Sequence, residues 1–273
     1  MIINNKYTFL EKLGSGSFGV LYKGENIRTK EKVAIKIEPV NPVYGFSLLK
    51  KEASIYHRLH HACDNVCQHA INGIPTVKWF GKDENNYYMV FQLLGESLET
   101  RMQRLDKFSL KQTMEIGKNI LAILKKVHHY GYIHQDIKPD NFLFDMDGKQ
   151  IFIIDFGLCK VFKRENMDKK RKSIIGTPCF ASIRAHECCN QSKRDDLESL
   201  AYMLFYFVLG GNLPWKHQTD LEAMYREKKE FQKYLNSSLN STLSSFIHLI
   251  HFYQYVLNLD VDEENIKYDW FDK

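Results

Sequence analysis

Short runs in which apolar and polar residues alternate fill the first ninety positions. Tyr7–Leu13, Val20–Gly24 and Val33–Ile37 are rich in Val, Ile, Tyr and Phe and are separated by Gly, Asn and charged residues. That is the pattern of strands joined by turns. A helix is predicted over Leu48–Leu59, then two more strands, Thr76–Phe80 and Tyr87–Leu93, flanking a turn at Asp83–Asn86. Beyond Gly95 the period changes. Leu110, Met114, Gly117, Leu121, Leu124 and His128 recur at helical spacing behind Ser109 and Gln112, a predicted capping box, and Gly131 stands where that helix should stop. Leu197–Leu209 is apolar on every side, which predicts a buried helix, ended by Gly210-Gly211 with Pro214 beyond. The pattern predicts an α+β protein: a small sheet-rich part joined near Gln92–Gly95 to a larger helical part, with a cleft between them as the expected ligand site. No internal repeat or low-complexity linker interrupts it.

Composition narrows the classes. A chain of 273 residues predicts one to two domains, and 44% apolar with 26% charged residues excludes wholesale disorder. A net charge of +5 suits an anionic ligand but is far from a polybasic chain, so no nucleic-acid partner is expected. Six cysteines are too few for a disulfide scaffold. Met1–Phe9 lacks the basic start and apolar core of a secretory signal, and the longest apolar run, Leu200–Leu209, is about half the ~20 residues of a membrane span. The expectation is reduced thiols, no membrane partner and a place in the cytosol or nucleus.

Gly14-Ser15-Gly16-Ser17-Phe18-Gly19 is a G-x-G-x-x-G between two predicted strands. A dinucleotide site needs a helix directly afterwards and a Walker loop needs a following Lys-Ser/Thr. Here Val20-Leu21-Tyr22-Lys23 continues as strand, so context excludes both. Glycines between paired strands instead let backbone N–H groups close over phosphates, although alone the motif reads equally well as a hairpin turn. Val33-Ala34-Ile35-Lys36 shifts the balance. Alternation turns Lys36 towards the ligand while Ile35 and Ile37 pack away, and Glu52 on the predicted helix is an anion able to hold the ammonium.

His134-Gln135-Asp136-Ile137-Lys138-Pro139-Asp140-Asn141 is followed fourteen residues later by Asp155-Phe156-Gly157. Phosphoryl transfer to a hydroxyl needs an acceptor for the hydroxyl proton, a cation near the transferring group and oxygen ligands for Mg²⁺. Asp136 suits the first role, Lys138 the second, and Asn141 with Asp155 the third. Two unrelated acidic turns would not fall in this order behind a glycine loop and Lys36.

The succession of glycine loop, VAIK, helix Glu, H-x-D-x-K-x-x-N and DFG resembles the eukaryotic protein kinases. The finer text resembles the casein kinase 1 family, with the vaccinia-related kinases as near relatives. It lies in Leu13–Gly19, Leu93-Leu-Gly-Glu-Ser-Leu-Glu99, His134–Leu143, Ile153–Leu158, Gly176-Thr177, Ala181-Ser182-Ile183 and Arg194–Leu200, within a stretch of about residues 7 to 216. Ala181-Ser182-Ile183 stands where most kinases have Ala-Pro-Glu. The resemblance implies a single two-lobed protein-kinase domain over residues 1–273, with an N-lobe at 7–93 and a C-lobe at 94–273. It implies a monomer that uses ATP and Mg²⁺ to phosphorylate Ser or Thr of protein substrates, acidic or pre-phosphorylated ones among them. By the same resemblance Leu13, Gly14, Ser15, Gly16, Ser17, Phe18, Gly19, Val20, Leu21, Lys36 and Glu52 hold the nucleotide. Gln92 to Leu94 form the adenine-binding hinge, and Phe91 guards the back of the pocket. Thr177 sits beside Asp136 and Lys138, and Asp196 braces the catalytic loop.

The chain also departs from that family. Gln135 replaces the arginine that in many kinases pairs with a phosphorylated activation loop, so no such phosphate should be needed. Cys179 replaces an arginine of the pocket for primed substrates. Lys169-Lys170-Arg171-Lys172 just upstream reads as a substitute anion site, a solvated loop or an import signal. His60–Asn72 looks longer than the family's loop, and its His60, His61, Cys63, Cys67 and His69 make a zinc site conceivable beside a plain insertion. Vicinal Cys188-Cys189 read as packing residues. The 58 residues after Trp215 are fewer than the family leads one to expect, although Tyr268–Phe271 resembles its ending. Two other readings stay open: a pseudokinase scaffold and a small-molecule kinase.

Overall fold

The chain runs β1 (Ile2–Ile3), β2 (Tyr7–Gly16), β3 (Gly19–Asn26) and β4 (Lys32–Pro39), then α1 (Leu48–His61), β5 (Val77–Lys82) and β6 (Asn86–Gln92). It continues through α2 (Leu98–Leu105), α3 (Leu110–His129), β7 (Tyr132–Ile133), a 3-10 turn at Pro139–Asn141, β8 (Phe142–Phe144), β9 (Ile151–Ile153) and β10 (Lys160–Val161). The last elements are α4 (Ile183–His186), α5 (Lys193–Val208), α6 (Leu221–Ser237) and α7 (Ile247–Leu257). This computed structural model describes residues 1–16, 19–40, 46–61, 72–164, 170–237 and 244–272. They fall into two compact units, Met1–Glu96 with Phe142–Gly157 and Ser97–Asn141 with Leu158–Lys273.

The first unit is an antiparallel sheet in the order β1-β2-β3-β4-β6-β5, with α1 and the β8–β9 pair. Period-two alternation decides its faces. Val33, Ile35, Tyr88 and Val90 join Ile3 and Tyr7 in one buried cluster, and Ile37 packs against it. β1 was not foreseen, because two residues are too short for a periodic signal. The turn expected at Asp83–Asn86 closes through Asp83 Oδ1, which accepts the N–H groups of Asn85 and Asn86 at 2.9 and 2.8 Å. On α1, Leu49, Glu52, Ala53, Tyr56 and Leu59 are buried at helical spacing. Its first turn is capped twice: Ser47 Oγ accepts from Lys50 N at 2.9 Å, and the Glu38 carboxylate accepts the N–H groups of Leu48 and Leu49.

The second unit is mainly helical. Ser109 and Gln112 form the capping box of α3, worth about 1 kcal/mol, and Gly131 N–H donates back to His128 O just beyond the helix. α5 is buried at every residue from Asp195 to Phe207, as all-round apolarity predicts, and ends at Gly210-Gly211. Tyr202, Phe205, Trp215, Phe231 and Tyr253 pack ring on ring between α5, α6 and α7, at centroid distances of 5.0–6.3 Å. Among the described residues no helix is long and apolar enough to cross a membrane.

Candidate active site

In the sheet unit, β2 and β3 pair across the glycine loop, with Gly14 opposite Leu21, Ser15 opposite Val20 and Gly16 opposite Gly19. Ser17 and Phe18 lie outside the described residues. A Cβ on Gly14 or Gly16 would meet nothing within 4 Å, whereas one on Gly19, at φ +121°, would fall 1.9 Å from Ile37 O. The loop thus combines open space at its first two glycines with backbone contact at the third that no side chain permits. Leu13 is 47% exposed in this strand, where an apolar side chain has no core to join. Leu21 pairs with Lys36 and shares its face. Val20 pairs with Ile37, on the face away from Lys36, so Val20 has only its backbone to offer a nucleotide.

Lys36 Nζ donates to Glu52 Oε2 at 2.7 Å and to Asp155 Oδ1 at 3.3 Å. Burial works against the ammonium, but Glu52 and then Asp155 outweigh it and hold the Lys36 pKa above its ordinary value, so the cation persists without solvent. Asp155 itself sits in the left-handed region at φ 64°, a backbone cost of order 1 kcal/mol that a neighbouring framework has to sustain. Two α1 residues that sequence reasoning missed supply that framework. Lys51 Nζ donates to Gly157 O at 3.1 Å, and the Tyr56 ring meets Phe156 edge-on at 5.0 Å. Tyr56 had a signal, its place four residues after Glu52 on the same helix face, whereas Lys51, one residue before Glu52 and turned about 100° from it, had none. At the expected hinge, Gln92 ends β6 with its N–H donating to Thr76 O at 3.0 Å, Phe91 is half-buried and Leu94 is buried. Gly95 N–H and Phe144 O, 2.8 Å apart, tie this strand end to β8.

In the helical unit, the loop after β7 is held by one carboxylate. Asp196, buried on α5, accepts the N–H of His134 at 2.8 Å, the N–H of Gln135 at 2.9 Å and shares a bond with His128 Nε2 at 2.9 Å. So braced, Gln135 adopts φ 70° and Asp136 is presented with most of its surface buried. Asp136 Oδ1 accepts both the N–H and the hydroxyl of Thr177, at 2.8 and 2.7 Å, while Lys138 Nζ lies 2.9 Å from Asp136 Oδ2 and 2.9 Å from Thr177 Oγ1. Burial works to raise the Asp136 pKa, but Lys138 and then Thr177 overcome it and hold the carboxyl below its usual range, ionised at neutral pH. Asn141 Nδ2 donates to Asp136 O at 2.8 Å and to Oδ2 at 3.2 Å. Gly176, at φ +97°, lies so close to the catalytic loop that a Cβ would come within 2.4 Å of Gln135 O. The end of the activation segment is therefore seated directly on the loop that carries Asp136.

The structure brings Lys36, Glu52 and Asp155 together in one unit and Asp136, Lys138, Asn141 and Thr177 together in the other. Their donor chemistry fits ATP with a hard divalent cation. Asn141 commits its Nδ2 to Asp136 and offers Oδ1, Asp155 offers carboxylate oxygen, and Gly14 and Gly16 leave open space beside the loop backbone. The protein kinase domain family model matches residues 7–263, and the chain belongs to that family. It is a mixed α/β protein kinase with a curled antiparallel sheet, and its family uses ATP and a divalent metal ion to phosphorylate proteins.

The remaining sequence expectations fall out variously. Of the conceivable zinc ligands, only the side chain of His60 lies among the described residues. Its Nε2 meets Pro75 O at 2.9 Å, and no metal-binding group of His, Cys, Asp or Glu occurs among the described residues. Lys169 is also outside them. Arg171 turns inward, with Nε donating to Asn190 Oδ1 at 2.8 Å, whereas Lys170 and Lys172 are exposed. Cys188 and Cys189 are free thiols.

Proposed function

We propose that the chain is a Ser/Thr protein kinase of casein kinase 1 type that uses Mg·ATP and works without a phosphate on its activation segment. The observation that carries this is Thr177, whose hydroxyl bridges Asp136 and Lys138. A hydroxyl held between the carboxylate and the lysine keeps the surroundings of Asp136 polar, which supports an aliphatic alcohol as acceptor. Bound Mg·ATP supplies the transferable phosphoryl group and the charge that neutralises its leaving oxygens. Asp136 Oδ2 orients the acceptor hydroxyl and takes its proton late, as a low carboxyl pKa and a loose transition state require. Lys138 offsets negative charge as it develops, and Lys36, fixed by Glu52, receives phosphate oxygens. Asn141 and Asp155 offer the metal its oxygen ligands.

Independence from activation is supported by how the segment ends. Gly176 rests on Gln135, Thr177 on Asp136, and Gln191 Nε2 donates to Ile175 O at 2.9 Å, so the segment end is held by three contacts that need no phosphate. The test is to incubate phosphatase-treated protein with radiolabelled ATP and casein and to identify the labelled amino acid. Phosphoserine or phosphothreonine at full rate is expected. Phosphotyrosine, or a rise of ten-fold or more after phosphorylation of Ser173, would overturn the reading.

A further inference from the structure

Lys228 lies on α6 in the run Arg226-Glu-Lys-Lys-Glu230, which reads as solvated surface, yet its side chain is wholly buried. It stands in line with buried Met224 and Leu235 and half-buried Phe231, at the spacing of one helix face. Among the described residues no carboxylate lies within ion-pair range of its Nζ. The ammonium is instead enclosed by neutral groups. It donates to Pro178 O at 2.8 Å and to Ala181 O at 2.5 Å, and it sits 4.8 Å from the centre of the Tyr202 ring and 5.3 Å from that of Trp215.

The neighbours complete the same pattern. Trp215 Nε1 donates to Cys179 O at 2.7 Å, and His186 Nε2 lies 3.1 Å from Pro178 O. The carbonyls of Pro178, Cys179 and Ala181 thus all end on side chains from α4, α6 and the Trp215 segment. The N–H groups of Phe180 and Ala181 both return to Thr177 O at 2.9 Å, which makes residues 177–181 a closed turn. Burial lowers the Lys228 pKa to about 7, with Glu198 and then Cys179 opposing, so near neutral pH the amine is shared between its charged and neutral forms, both of which carry N–H donors for the two carbonyls.

We propose that Lys228 is a positioning residue for protein substrates: a buried amine donor around which the turn 177–181 is wrapped, so that Thr177 meets Asp136 and the surface beside the acceptor hydroxyl keeps one shape. This rests on Asp136 being the centre of phosphoryl transfer, because a polypeptide that brings a hydroxyl to Asp136 has to lie against the residues that follow Thr177. An apolar side chain of the same length leaves Ala181 O without its donor and Pro178 O with His186 Nε2 alone, and the turn is free to reshape to recover the loss.

The experiment pairs Lys228→Met with wild type in two readouts: amide hydrogen exchange of Phe180 and Ala181, and steady-state kinetics with casein and ATP varied separately. Exchange at least ten-fold faster at both amides and a KM for casein at least ten-fold higher, with the KM for ATP within two-fold, are expected. Unchanged exchange, an unchanged KM for casein, or an equal rise in both KM values would overturn the proposal. Should the methionine variant fail to fold, Lys228→Gln, which keeps a shorter donor, is judged by the same two readouts. If wild type phosphorylates no protein hydroxyl, the assignment of Asp136 fails instead, and the exchange comparison alone still decides whether Lys228 holds the turn.

Discussion

In the sheet unit Lys36 and Glu52 ride on regular elements, and of the proposed site groups there Asp155 lies on irregular backbone. Lys36 is fixed by the register of β4 between β3 and β6, and Glu52 by the face that α1 turns to the sheet. In the helical unit the reactive groups ride on irregular backbone, and its shape comes from buried polar side chains: Asp196 beneath the catalytic loop, Lys228 and Trp215 beneath the turn that follows Thr177. The first arrangement spreads positioning over many ladder hydrogen bonds, none of which matters much alone. The second concentrates it in a few groups, and losing any one of them takes a hydrogen-bond partner from the loop backbone.

The largest effect should come from the centre itself. Asp136→Ala should lower kcat by about 10³-fold or more, while the KM for ATP and the melting temperature stay close to wild type, since the lost groups face the acceptor. An unchanged kcat would remove Asp136 from the chemistry. The sharpest test of the contrast between the units pairs Asp196→Asn with Glu38→Gln. Each alters a carboxylate that accepts two backbone N–H groups beneath a site. Asp196→Asn should cost about 3 kcal/mol and lower kcat by ten-fold or more, because an amide presents a donor where donors already converge. Glu38→Gln should cost about 1 kcal/mol at most and leave kcat within a few-fold, because strand register still places Lys36. Equal losses in denaturant titration and kinetics would refute the distinction.

The smallest effect is on acid stability. Burial, then the charge of Lys228, lower His186 from 6.5 to about 4, against the pull of its bonds to the Pro178 and Leu221 carbonyls. The unfolded chain therefore takes up this proton first as pH falls, and the contribution of His186 to stability is lost between about 6.5 and 4. Melting temperatures measured from pH 7 to 4 should fall less steeply for His186→Gln than for wild type.

The same contrast explains what could be read in advance. Alternation in Val33–Ile37 separates Lys36 from the core residues beside it, the 109/112 pair announces α3, and apolar residues on every side of 197–209 announce a helix buried all round. These are local signals with a fixed period. Asp136, Lys138, Asn141 and Asp155 were legible as a spaced set of residue types, not from any period. What escaped was long-range and polar. Glu38 caps a helix that begins ten residues later, Lys51 reaches a carbonyl 106 residues away, and Lys228 hides in a charged run. A lysine in the line of Met224, Phe231 and Leu235 was the one available hint, and charge density around it pointed the other way.

Thr177 is the first hydroxyl after the exposed stretch of the activation segment, and it resembles a site where added phosphate would switch such an enzyme on. Its oxygen is already spent, donating to Asp136 and accepting from Lys138. A dianion placed there would face a carboxylate at contact range and draw away the lysine that the carboxylate relies on. Esterifying that one alcohol should therefore lower turnover and not raise it.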